Sequence, residues 1–73
     1  MKSKAEWDRD LAEAGMRPVI SLREASLFIG LSTRTLRRWR DQARLEVMQT
    51  GTRSGRILLA RSELARLLSD LGH

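Results

Sequence analysis

Apolar positions recur along this chain with two spacings, one that of a helix face and one that of an extended segment. Trp7, Leu11 and Ala14 fall at i, i+4 and i+7 behind Ser3-Lys-Ala-Glu6, which has capping-box spacing, and ahead of Gly15, a C-terminal stop. These residues predict a short amphipathic helix. Pro18 then interrupts the helical pattern, and Val19 and Ile20 suit an edge strand. Ser21-Leu-Arg-Glu24 repeats the capping-box spacing and opens a helix whose core face is predicted to be Leu22, Ala25, Phe28 and Ile29.

The centre of the chain is the run from Gly30 to Arg44. Gly30 supplies the backbone freedom of a sharp turn, Leu31 an apolar anchor, and Ser32 an N-cap that sets the phase of the next helix. At 100° per residue, Leu36, Trp39 and Ala43 gather on the core side of that helix. The opposite arc carries Arg34, Arg37, Arg38 and Asp41, with Thr33, Thr35 and Arg44 at its edges. Two helices joined by such a turn make a helix-turn-helix.

After Arg44 the period changes. Leu45–Gln49 alternates imperfectly, Thr50–Gly55 is rich in turn residues, and Arg56–Leu59 is β-compatible, so a small hairpin is predicted. Leu64, Leu67, Leu68 and Leu71 then form an i, i+3, i+4, i+7 face on a closing helix that ends at Gly72 and lids the core or, alternatively, extends into a dimer contact. The expected fold is mainly α with a small β-hairpin, a winged helix-turn-helix (residues 17–73) preceded by an additional N-terminal helix (residues 1–16). The Trp7 stripe packs on that domain or, alternatively, docks on a neighbour.

Charge sharpens this picture. The net charge is +5 and the isoelectric point about 11.3. Residues 1–16 are nearly balanced, Lys2, Lys4 and Arg9 standing against Glu6, Asp8, Asp10 and Glu13, so the cationic excess lies downstream. Between Ser32 and Arg56 it is built from arginine: Arg34, Arg37, Arg38, Arg40, Arg44, Arg53 and Arg56 against Asp41 and Glu46. Guanidinium groups suit planar recognition of phosphates and guanine edges, which points to a polyanionic partner. Thr35 joins the candidate DNA-contacting residues of the central helix. Arg23, in the first turn of its helix, is within reach of a phosphate, and Thr52, Arg53, Ser54 and Arg56 lie at the tip and root of the predicted hairpin, where they suit a minor groove or a phosphate backbone.

Glu24-Ala25, Gly30-Leu31-Ser32 and Arg34-Thr35-Leu36-Arg37-Arg38-Trp39, followed by a Gly51/Gly55 hairpin and a leucine-rich helix, resemble the excisionase branch of the MerR-like winged helix-turn-helix domains. The likeness covers roughly residues 19–71 and leaves out the helix around Trp7. It implies double-stranded DNA as partner, with Ser32, Thr33, Arg34, Arg37 and Arg38 in the major groove and Arg53, Ser54 and Arg56 on a wing in the adjacent minor groove. It further implies cooperative self-association on DNA near an attachment site, an integrase as partner, promotion of excision, and a cytoplasmic, nucleoid-associated location in a bacterium or phage. Members of this branch often carry glycine near the end of the recognition helix, where this chain has Ala43-Arg44.

Composition disfavours catalysis. The chain has no cysteine, its one histidine is His73, and no glycine-rich phosphate loop or evident carboxylate pair is present. No cofactor, metal, membrane or small-molecule substrate is expected. Neither a coiled coil nor an effector domain fits after Leu71, which favours an architectural role over the alternative of a small MerR-like transcriptional regulator. A protein-interaction module whose basic face meets an acidic protein is the competing reading from another class.

Overall fold

A computed structural model gives the fold for residues 2–48 and 57–72. In chain order its elements are α1 (Lys4–Glu13), β1 (Val19–Ser21), α2 (Leu22–Ile29), α3 (Thr33–Asp41), β2 (Leu58–Ala60) and α4 (Arg61–Asp70). The architecture is mainly helical with a two-stranded antiparallel sheet. Its register sets Val19 opposite Ala60, Ile20 opposite Leu59 and Ser21 opposite Leu58. Ile20 and Leu59 are both buried, so this pair joins the two halves of the chain at the centre of the core.

The strand that returns after the predicted hairpin therefore pairs with residues 19–21. No strand is found at Leu45–Met48; there the Met48 amide donates to the Leu58 carbonyl at 2.7 Å. The Ile57 carbonyl accepts from the Leu22 amide. Successive carbonyls of an extended chain point in opposite directions, so Met48 lies along the edge of β2 away from β1. Residues 49–56, which hold the tip of the predicted hairpin, lie outside the described residues.

Every element contributes to one core, with Leu11 from α1, Leu36 from α3, and Leu64, Ala65, Leu67 and Leu68 from α4. Helix α1 folds back along α4, and Trp7 is half-buried against the same core. Arg61 fastens this arrangement: its Nε donates to Asp8 at 3.0 Å, its Nη1 to the Met16 carbonyl at 2.9 Å, and its backbone amide to the Pro18 carbonyl.

The helix starts follow the sequence closely. Ser3 and Glu6 form a full capping box. Ser21 caps α2 by accepting from the Glu24 amide at 3.1 Å, but only half of the predicted box forms: Glu24 Oε1 accepts from Arg17 Nη2 at 3.1 Å and from the Ser21 hydroxyl at 3.4 Å, not from the Ser21 amide.

Besides Ala14, which follows α1 as its exposed C-cap residue, three side chains depart from the predicted core. Phe28 is 48% exposed, and its neighbour Leu27 is 77% exposed. Leu22, Ala25 and Ile29 already complete the inward stripe of this short helix, and Phe28 lies about 60° beyond its edge at Ala25. Leu71 caps the end of α4 and is partly exposed, whereas Leu64, Leu67 and Leu68 pack inward.

Ala43 is the third. Helix α3 ends at Asp41, and Ala43 lies beyond it, exposed, with φ of +59°. Its amide donates to the Arg40 carbonyl and the Arg44 amide to the Trp39 carbonyl, which is the paired closure that Gly15 and Met16 make at the end of α1. Gly15 has φ of +92° there, a conformation that costs an L-residue energy. We expect Ala43→Gly to stabilise the protein by about 1 kcal/mol, raising the thermal midpoint by about 4–8 °C. An unchanged or lower midpoint in a thermal melt would contradict a strained Ala43.

Candidate nucleic-acid interface

Helices α2 and α3 are joined by Gly30, Leu31 and Ser32. Gly30 closes α2 in the left-handed conformation, and the Ser26 hydroxyl donates to the Leu31 carbonyl at 2.6 Å, holding the turn. Ser32 then caps α3, accepting from the Thr35 amide at 3.1 Å, and its hydroxyl lies 3.0 Å from that of Thr35. These two predicted DNA-contacting hydroxyls are therefore engaged with each other at the cap.

The cap fixes where α3 begins, and Leu36, fully buried, fixes how it is rotated. Arg34, Arg37 and Arg38 consequently share the outward arc and are exposed, while Thr33 at its edge is half-buried. Arg23 is exposed in the first turn of α2. Among the described residues none of these four arginines has a carboxylate partner. Thr52, Arg53, Ser54 and Arg56 lie outside the described residues, and with them their predicted juxtaposition with α3.

The other cations of this region are engaged. Arg40 donates from Nε and Nη2 to Asp41 Oδ1 at 3.1 and 3.0 Å. Arg44, predicted at the edge of the cationic arc, instead places its guanidinium over the Trp39 ring, 4.8 Å from the centroid. Lys2, Arg17, Arg61 and Arg66 pair with acids.

The exit from α3 is held by a pair on α4, Glu63 and Arg66, that no local motif marks as functional. Glu63 is almost buried, accepts the Glu46 amide at 2.9 Å, and is bound twice by Arg66, at 2.9 and 2.6 Å. Arg66 also donates to Asp70 and to the Arg44 carbonyl. The Glu63-x-x-Arg66 spacing hinted at a local ion pair, but the backbone groups it holds lie far away in sequence. A cleft of about 540 Å³ opens beside this clamp, lined in part by Trp39, Leu67 and Leu71. Among the described residues no group of three or more His, Asp or Glu is placed to hold a metal ion, and no helix is long and apolar enough to cross a membrane.

Burial works to raise the Glu63 pKa, but the Arg66 hydrogen bond, the Glu46 amide and the charges of Arg66 and Lys4 outweigh it and hold the carboxylate below its ordinary value of 4.5. The same pairing raises the Arg66 pKa further above its ordinary value. The folded chain thus binds the Glu63 proton more weakly than the unfolded chain does. Its stabilising contribution is complete above pH 4.5 and disappears as the pH falls through the lower folded value. Glu63→Gln should cost about 1–3 kcal/mol at neutral pH and flatten this part of the acid limb, read by urea denaturation across pH. An acid limb as steep as that of the unsubstituted protein would remove Glu63 from the explanation.

Comparison of the chain with protein-family models, with curated proteins and with solved structures found no match.

Proposed function

We propose that this protein is a sequence-specific double-stranded DNA-binding protein of the winged helix-turn-helix class, acting architecturally as an excisionase. The observation that carries the DNA-binding reading is α3 itself. It is anchored by Leu36 and displays Arg34, Arg37 and Arg38, exposed and without carboxylate partners among the described residues. Cations near the N-terminus of a helix gain nothing from its dipole, so folding stability does not explain Arg34 there. A recognition helix presents its N-terminal residues to base edges, as α3 presents Arg34, with Arg37 and Arg38 further along the same arc, and arginine is the commonest reader of guanine. The short turn between α2 and α3 and the cap at Ser32 support the helix-turn-helix assignment.

The excisionase reading rests on the resemblance of residues 19–71. In it, Arg53, Ser54 and Arg56, with Thr52, belong to the wing, Arg23 contacts a phosphate, copies assemble cooperatively on neighbouring sites, and an integrase is the protein partner. The small MerR-like regulator is the alternative within the same class. A second class of function, a protein-contacting module, is favoured by the exposed Leu27 and Phe28 on α2.

Titration of random duplex with salt separates the classes. Neutralising about 5–8 phosphates gives a log–log slope of about −5 to −7. No duplex binding at low salt would leave the protein-contacting module in its place. Arg38→Ala should cost about 1–3 kcal/mol and relax preference at one base pair if Arg38 reads a base, whereas a uniform loss on all sequences would make it a phosphate contact. A footprint over an attachment region that grows with added protein and responds to integrase supports the excisionase; a single isolated footprint supports the regulator.

A further inference from the structure

The arginine face of α3 contains one acid, Asp41. It stands at i+4 from Arg37 and i+3 from Arg38, within reach of both, yet its partner is its immediate neighbour Arg40. Both bonds from Arg40 fall on Oδ1, and Oδ2 has no partner among the described residues. Folding does not account for this acid. Asp41 is the last residue of α3, at the negative end of the helix dipole, and its side chain is 68% exposed, where an ion pair stabilises little.

Building on the DNA-binding reading, we infer that Asp41 is a specificity-determining residue: it withholds Arg40 from the phosphate backbone and offers Oδ2 to an exocyclic amino group in the major groove. Three physical arguments converge. A carboxylate on a face turned toward phosphates is repelled in every complex, so it weakens non-specific binding. The repulsion is offset only where a hydrogen-bond donor lies opposite, and the donors of the major groove are the amino groups of cytosine and adenine. Specificity is a difference between affinities, and penalising the wrong complex enlarges it as effectively as rewarding the right one. The two Arg40 bonds orient the carboxylate and at the same time occupy a guanidinium that would otherwise neutralise a phosphate. Arg34, Arg37 and Arg38 then supply attraction, and the Arg40–Asp41 pair supplies discrimination.

Asp41→Asn tests this, with Glu13→Gln, an exposed acid on α1, as a control of equal net charge. Circular dichroism and a thermal melt establish that each variant is folded. On random duplex, Asp41→Asn should bind more tightly and show a salt slope steeper by about 1, the signature of one added phosphate contact. The extra unit should vanish in the Arg40→Ala/Asp41→Asn double variant. In selections from a random duplex library, Asp41→Asn should lose about five- to tenfold of its preference at one position carrying cytosine or adenine. Glu13→Gln should leave slope and selected motif as they are. Duplex binding by the unsubstituted protein combined with an Asp41→Asn slope and motif identical to it overturns this inference alone. Persistence of the steeper slope without Arg40 overturns it as well. Absence of duplex binding by the unsubstituted protein overturns the DNA-binding reading and this inference together.

Discussion

Helix α3 is attached to the rest of the protein by one fully buried side chain, Leu36, with the half-buried Trp39 beside it. A helix so polar has little apolar area with which to secure itself, because the hydrophobic contribution scales with the surface removed from water. Its rotation depends on that single anchor, and the outward position of Arg34, Arg37 and Arg38 follows from it. Both ends are therefore fastened by polar means. Ser32 and Thr35 satisfy the first turn, and the Glu63–Arg66 pair reaches across from α4 to the backbone of Arg44 and Glu46.

Beside the locally paired Lys2, Arg17, Arg40 and Arg44 and the exposed Lys4 and Arg9 of α1, two sets of arginines differ in what they do. Arg61 and Arg66 hold the fold together by reaching segments distant in sequence, Asp8 and the Met16 carbonyl for the first and the Arg44 carbonyl for the second, and each is neutralised by a carboxylate where it acts. Arg23, Arg34, Arg37 and Arg38 face solvent without a neutralising carboxylate among the described residues. Such repulsion has a cost in folding that a polyanionic partner would relieve, which is why the free set rather than the total charge supports the functional proposal. The cleft beside Glu63 is a different kind of feature: its charged lining is largely satisfied within the protein.

Two local features run against expectations of stability. Ala43 occupies a left-handed position, and Leu27 and Phe28 leave apolar area in water. The core explains the second. Helix α2 already fills the space available to it with Leu22, Ala25 and Ile29, and a chain this small has little further interior in which to place an aromatic ring.

The helices were legible in the sequence because their signals are local. Caps at Ser3, Ser21 and Ser32 act within one turn, and the stripes through Leu11, Leu36, Leu64, Leu67 and Leu68 need only helical periodicity to identify the buried side. The arginine arc of α3 was legible for the same reason, since a helix fixes which of its residues share a face. Periodicity within one helix does not reveal how wide a stripe its neighbours will cover, so it assigns Phe28 to a core that leaves it half exposed. Adjacent apolar segments likewise do not reveal which strands pair across the chain, so the partnership of Ile20 with Leu59 emerged only in three dimensions. The choice among competing charges was also tertiary. Glu63 could meet any nearby donor, and only the packed positions of the elements decided that it holds the end of α3.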